Sequence, residues 1–376
     1  MEWKTPLFKM YWDEEDIESV AEIIRRGSYW ATGPEINILE EKISKYIGKK
    51  YGVTFNSGTS ALHAILLAND ITSGEVIVPS FTFISTANAV VLAGAKPVFA
   101  EIEQETFALD PIDVEKKITE NTRAIMPVHY AGIPAAGISE LKKIADEHDI
   151  LLIEDAAESM GAKYKNKMVG TFGQHSMFSF CQNKIITAGE GGIILTDSKE
   201  IYDKLKLIRS HGRVETKEDY FSTIKDMDYI DVGYNFRLPS INAALLLSQF
   251  KKIENIINIR RSKAERYNKV LSEEKSIKIP LNSDDFYNVY QMYTIMLENM
   301  NQRNLIQQKL KENSIMSKIY FEPVHLKSFY KNKYDYKKGS LPITEDISNK
   351  VLTLPMHPLL DDIEIDQINN IIMNCL

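Results

Sequence analysis

The sequence predicts an α/β protein with a mostly parallel, seven-stranded sheet in a large domain, followed by a smaller α+β C-terminal domain. Three observations predict it. From about residue 50 to residue 200, short apolar segments rich in Val, Ile and Phe alternate with helical ones. Most of those segments are continuously apolar, as strands buried on both faces are. After Tyr234 the rhythm changes to long helical stripes with a few short strands. A chain of 376 residues exceeds one simple core, which suits a large domain at 1–245 and a smaller one at 246–376.

Residues 13–26 read as an opening helix, capped by Asp13 and striped by Ile17, Val20, Ile23 and Ile24. Residues 35–47 repeat the pattern with Ile36, Leu39, Ile43 and Ile47, ending at Gly48. Strands are expected at Tyr51–Asn56, Glu75–Val78, Lys96–Ala100, Arg123–Val128, Leu151–Glu154, Met177–Phe180 and Gly192–Thr196. Helices are expected between several of them, at Ser60–Ala68, Ile84–Ala93, Asp113–Lys117 and Ser139–His148. Sheets of this kind bind ligands at the C-terminal ends of their strands. Residues 239–272 read as one long helix, Tyr290–Leu297 and Ser317–Phe321 as strands, and Gln302–Asn313 and Asp361–Asn374 as helices. The lysine-rich stretch 327–338 reads as a solvated loop.

Composition narrows the function. Hydrophobic residues make up 44% and charged residues 26%, the balance of an ordinary soluble protein. A net charge of −7 argues against nucleic acid as the partner. Cys181 and Cys375 have neither metal spacing nor a disulfide framework, so a reducing compartment and no metal site are expected. The opening residues lack a signal-type apolar region, and no run of about 18 apolar residues suggests a membrane span. The expectation is a cytoplasmic enzyme.

Three motifs carry chemistry. The apolar strand Leu151-Leu152-Ile153 runs into Glu154, Asp155 and Glu158. A carboxylate at a strand end can hold a protonated ring nitrogen; it can also simply cap the next helix. Lys184 precedes Gly189-Glu190-Gly191-Gly192. A desolvated lysine beside a glycine-rich turn suits a Schiff base, though a surface lysine beside a hairpin has the same pattern. Ser57-Gly58-Thr59-Ser60 lies between a strand and a helix. The helix N-terminus there can bind phosphate, or the serine can be a plain N-cap.

The order is informative: an anion cup, then a strand-end Asp, then a lysine 29 residues on (184 − 155). With Pro79–Phe83, Pro127–Gly132, Glu154–Glu158, Gly170–Gly173, Ser179-Phe180, Gly189–Gly192, His211-Gly212, Gly233–Leu238, Pro323–His325 and Leu352–Pro355, the chain resembles the DegT/DnrJ/EryC1/StrS sugar aminotransferases. The likeness runs from about residue 6 to the C-terminus.

The resemblance implies a fold-type-I transferase dependent on pyridoxal 5′-phosphate (PLP). It implies that Lys184 carries the cofactor and moves protons, Asp155 pairs with the ring nitrogen, and Phe83 stacks on the ring. Gly58, Thr59, Ser60 and Ser179 would hold the phosphate. Asn235 would reach the neighbouring subunit's phosphate, so a homodimer is implied. His325, Arg237, Arg209 and Trp30 are the candidates for substrate contact. The implied substrate is a nucleotide-linked keto sugar, with glutamate as amino donor. A PLP-binding regulatory protein without turnover, or an aminotransferase acting on a cyclitol or other free ketone, would share the cofactor residues.

Some positions depart from the family pattern. Cys181 stands where many relatives have His, and Ala188 replaces a frequent Thr. Glu158 stands beside the cofactor's phenolic oxygen, where relatives often have His or Gln. A carboxylate there would be repelled by the phenolate, so one of the two is expected to hold a proton. Glu at this position resembles the branch making perosamine-type 4-amino sugars, which points to a 4-keto-6-deoxyhexose. Loops 213–232 and 282–290 are expected to select the sugar.

Overall fold

The computed structural model describes residues 3–214, 224 and 227–376. The elements in chain order are α1 (Glu14–Arg26), α2 (Pro34–Ile47), β1 (Tyr51–Phe55), α3 (Gly58–Ala68), β2 (Glu75–Pro79), α4 (Ser85–Ala93), β3 (Lys96–Ala100), α5 (Pro111–Lys117), β4 (Thr122–Ile125) and α6 (Ile138–Glu147). Next come β5 (Leu151–Asp155), β6 (Lys163–Tyr164), β7 (Lys167–Met168), β8 (His175–Ser179), β9 (Gly192–Thr196), α7 (Lys199–Arg209), α8 (Ser240–Lys251) and α9 (Ile253–Leu271). The chain closes with β10 (Ile277–Lys278), β11 (Phe286–Tyr287), β12 (Tyr293–Leu297), α10 (Met300–Glu312), α11 (Ser328–Tyr334), α12 (Pro342–Lys350), β13 (Val351–Leu354) and α13 (Asp362–Met373).

The central sheet has seven strands in the order β1-β9-β8-β5-β4-β2-β3. The expected seven segments form it. Neighbours pair in parallel except around β9, which runs antiparallel to both β1 and β8. Leu152, Ile153, Phe178 and Ile193–Leu195 are wholly buried, each burial contributing about 1.5–3 kcal/mol. Their uninterrupted apolar character reflects helices covering both faces. A second sheet, β10-β12-β13, belongs to the C-terminal part.

Local chemistry sets the helix ends. Asp13 caps α1 in a reciprocal box with Asp16, and acids in its first turn and Arg25 and Arg26 in its last suit the helix dipole. Within its apolar stripe Ile23 is buried, whereas Ile17 and Ile24 stay about half exposed.

The C-terminal half differs from expectation in three places. The single helix over 239–272 is two, broken at Lys252, whose ammonium is drawn to Asp13 (2.6 Å) and Asp16 (2.8 Å) of α1. The stretch 327–338 is not all loop: Ser328–Tyr334 is helical because Tyr330 packs fully buried against Phe99. Ser317–Phe321 pairs only through Lys318 with Thr353, and β13 takes the expected strand's place in the sheet.

The cores meet along α9. Ile253, Ile256 and Ile257 belong to a cluster with α2, β8 and β9, whereas Ala264, Tyr267 and Leu271 pack with β12, β13 and α13. The division expected at residue 245 falls within α8. The N-terminal segment crosses to the C-terminal layer, with Thr5 bridged to Ile315 and the Leu7 carbonyl accepting from Met356 N. No helix among the described residues is long and apolar enough to cross a membrane.

Candidate active site

β5 ends in two carboxylates with different tasks. Glu154 faces the fold. It accepts from the main-chain N–H groups of Gly170, Phe172 and Gly173, each at 2.7 Å, and from His129 Nε2 at 3.0 Å. Ala135 N donates to His129 Nδ1, so the imidazole carries its proton on Nε2. Burial opposes the charge on Glu154, but the His129 contact and these N–H groups outweigh it and hold its pKa below the usual range.

Asp155 is only 3% exposed. One carboxylate oxygen accepts from Thr86 Oγ1 (2.8 Å) and the other from Ala157 N (3.2 Å). Thr82 Oγ1 meets Thr86 Oγ1 at 3.0 Å, extending the chain of hydroxyls. Burial dominates and pushes the Asp155 carboxyl up. Among the described residues no cation forms an ion pair with Asp155; Lys184 acts on it only as a neighbouring charge.

Glu158 and Lys184 meet beside it. Lys184 Nζ lies 3.3 Å from Glu158 Oε1, and Glu158 Oε2 accepts from Ala131 N at 2.9 Å. Ala131 sits in left-handed backbone, φ 56°, which turns its N–H toward the carboxylate.

The anion cup is built where β1 passes into α3. Ser57 caps the helix, accepting from Ser60 N at 3.0 Å, and Thr59 Oγ1 meets Ser85 Oγ at 2.8 Å. Gly58 packs so closely on Ser179 that a Cβ there would lie 3.3 Å from Ser179 Oγ. A Cβ on Gly192 would lie 2.7 Å from the Ser57 carbonyl, so glycine is required for β9 to pass. The N-terminus of this 11-residue helix is thus walled by hydroxyls and carries the positive end of its dipole.

These residues fit PLP. Among the described residues no ion pair reaches the buried carboxylate of Asp155, so a protonated pyridine nitrogen would supply one; the helix N-terminus suits the phosphate; and Lys184 stands beside Glu158, its charge felt at Asp155. The chain matches the DegT/DnrJ/EryC1/StrS aminotransferase family over residues 11–373.

The chain belongs to the DegT/DnrJ/EryC1/StrS aminotransferase family.

It is a PLP-dependent aminotransferase, as members of that family are. A protein of Methanocaldococcus jannaschii is 36% identical over 373 residues, 97% of this chain and 96% of that one. GDP-perosamine synthase of Vibrio cholerae is 34% identical over 372 residues, 98% of each. Among solved structures, Helicobacter pylori PseC, an aminotransferase of pseudoaminic acid biosynthesis, superimposes with TM-score 0.90 at 29% identity, covering 100% of this chain and 99% of that one.

As a member of this family the chain holds expected cofactor residues in two groups. Asp155, Glu158 and Lys184 cluster, Gly58 packs on Ser179, and Ser60 Oγ meets Ser57 Oγ at 2.9 Å. Phe83 follows β2 and is 59% exposed, its ring 6.3 Å from that of Phe321. Asn235 is exposed, and its carbonyl accepts from Asn56 Nδ2 at 3.4 Å.

The substrate candidates are scattered. Arg209 is buried in an ion pair with Glu40 at 2.6 Å, which fixes α7 against α2 and β1. His325 is wholly buried, with Nδ1 on Ser80 Oγ (2.7 Å) and Nε2 on Glu345 Oε1 (3.2 Å), so both ring nitrogens are engaged inside the fold. Trp30 is half exposed and donates Nε1–H to the Ile23 carbonyl (3.0 Å). Arg237 is partly exposed, with Nη1 on Ser210 Oγ at 3.3 Å.

Of loop 213–232, residues 215–223, 225 and 226 lie outside the described residues. In loop 282–290, Phe286 and Tyr287 pair with β6. Cys181 is partly buried, its Sγ 3.8 Å from Glu190. Thr86 and the Ala131 N–H were missed from sequence. Thr82 and Thr86, spaced i,i+4 where α4 begins, gave a weak signal; the left-handed Ala131 gave none.

Proposed function

We propose that this aminotransferase moves the amino group of glutamate onto a nucleotide-linked keto sugar, a 4-keto-6-deoxyhexose, yielding an amino sugar for surface polysaccharide or glycan synthesis. The observation that carries the reading is Lys184 Nζ held 3.3 Å from Glu158 next to the buried Asp155. The sugar rests on the relatives, GDP-perosamine synthase and PseC, and on the resemblance of Glu158 to the perosamine-type branch.

Bound PLP supplies a ring that accepts an electron pair from the substrate carbon. Asp155 holds the ring nitrogen's proton, braced by Thr86 and Ala157 N. Gly58, Thr59, Ser60 and Ser179 would hold the phosphate, and Phe83 would stack on the ring. Lys184 would anchor the cofactor and, as a free amine, would move a proton between the substrate carbon and C4′ of the cofactor, in one direction for the donor and in the reverse direction for the sugar. Glu158 orients Lys184 Nζ and would share a proton with the phenolic oxygen. Asn235 completes the partner's phosphate site in a homodimer. Arg237 and Trp30 are left as substrate contacts, while Arg209 and His325 act through the fold.

The test is a screen of nucleotide-linked keto sugars, free ketones and cyclitol ketones with glutamate, read by 2-oxoglutarate release and product mass. Turnover of a nucleotide-linked 4-keto sugar supports the reading. Turnover of free ketones alone, or none with a fully loaded enzyme, overturns it.

A further inference from the structure

Two cavities lie beside the Lys184 loop and share Phe8 and Asn183 in their walls. The one that Lys184 lines also has Lys9, Arg260, Gln182 and Thr187 in its wall, and neither Asp nor Glu. Arg260 is 3% exposed. Its Nη1 donates to the carbonyls of Tyr290, Gln291 and Met356 at 3.1–3.3 Å, while its buried Nε has no partner. Among the described residues no carboxylate pairs with Arg260 or Lys9. The acids nearby in the fold are already engaged: Asp16, bonded to the cavity-wall Gln249, pairs with Lys252 at 2.8 Å, and Glu158 with Lys184.

Burial pushes the Arg260 guanidinium down to about 10, which leaves it charged at neutral pH. A cation taken out of water without a counter-charge is costly, and carbonyl dipoles offset only part of that cost. An arginine serving only to tie loops together would need neither a second cation nor an acid-free wall beside the reacting lysine. The guanidinium fork matches an oxyanion.

We propose that this cavity is an oxyanion subsite, in which Arg260 and Lys9 hold a carboxylate or phosphoryl group of a molecule reacting at Lys184. The inference rests on the transamination reading above. The oxyanion has two sources there, a carboxylate of the amino donor and the diphosphate of the nucleotide sugar.

The experiment uses the PLP-loaded full chain and two unreactive probes, glutarate for the donor and inorganic pyrophosphate for the nucleotide, with binding read by calorimetry. Wild type is expected to bind at least one probe at millimolar concentration, more weakly as salt rises. Lys9→Gln, at an exposed position, weakens that probe about three- to tenfold, and Arg260→Lys about tenfold or more. Loss confined to glutarate assigns the donor; loss confined to pyrophosphate assigns the nucleotide. Binding of neither probe to wild type, or equal binding to wild type and Lys9→Gln, overturns the subsite even if the enzyme transaminates. Should Arg260→Lys not fold, Lys9→Gln alone decides. Probe binding without turnover of any keto sugar would sink the function and leave the subsite standing.

Discussion

Asp155→Asn keeps the side chain's shape, removes its charge, and is expected to move two quantities in opposite directions. Burial raises the Asp155 carboxyl even against the hydrogen bonds from Thr86 and Ala157. A folded-state value above the unfolded one means that the cofactor-free protein binds this proton more tightly when folded. Its stability therefore falls as pH rises from the ordinary carboxylate range through the folded value. At neutral pH the cofactor-free wild type carries that cost and the asparagine variant does not. Replacing a buried charge by an amide, whose oxygen can accept from Ala157 N while its NH2 donates to the Thr86 hydroxyl, should stabilise the cofactor-free form by about 1 kcal/mol, or about 2 °C in Tm at this size. The cofactor-bound form should lose a charge-assisted hydrogen bond of about 1.5–3 kcal/mol, weakening PLP about 10- to 100-fold. Thermal unfolding with and without PLP, plus a PLP titration, measures both. An asparagine variant less stable than wild type without cofactor, or one binding PLP as tightly, would refute the reasoning.

Other outcomes follow from the same geometry. Arg209→Leu leaves Glu40 buried without its guanidinium and should cost about 3–5 kcal/mol of stability. KM for the sugar should stay within about twofold wherever the variant is folded; a tenfold rise would return Arg209 to the substrate site. Glu154 has a depressed carboxyl, so it contributes stability above the ordinary carboxylate value that is lost as pH falls below about 4.5. Glu154→Gln should be less stable at neutral pH and lose less on acidification, and parallel stability–pH curves would contradict this. Glu158→Gln removes negative charge beside Lys184, so the pH midpoint of the holoenzyme's visible band should move down; an unmoved midpoint would show that Glu158 shares no proton there.

What could be read from the sequence divides by the range of the interactions. The seven central strands were legible because segments such as Leu151–Ile153 and Ile193–Leu195 are apolar on both faces. The reversal of β9 was not, since its orientation depends on the glycine turn that lets Gly192 pass the Ser57 carbonyl. The break at Lys252 was hidden too: the apolar stripe continues through it, and the ion pairs to Asp13 and Asp16 come from the other end of the chain. Within the site, Lys184, Asp155 and the Ser57–Ser60 cup were legible as an ordered pattern. Arg209 and His325, expected at the substrate, are engaged by Glu40, Ser80 and Glu345, partners that lie far away in sequence. An arginine or histidine looks the same in sequence whether it meets a ligand or a buried carboxylate.

Lys184 is the residue proposed to carry the cofactor. Reducing the PLP-loaded protein with borohydride, followed by digestion and peptide mass spectrometry, tests it most directly. A phosphopyridoxyl group is expected on the peptide bearing Lys184, with loss of both the visible absorbance and that adduct in Lys184→Ala. The group on another lysine, or a wild type that stays colourless with PLP added, would contradict it.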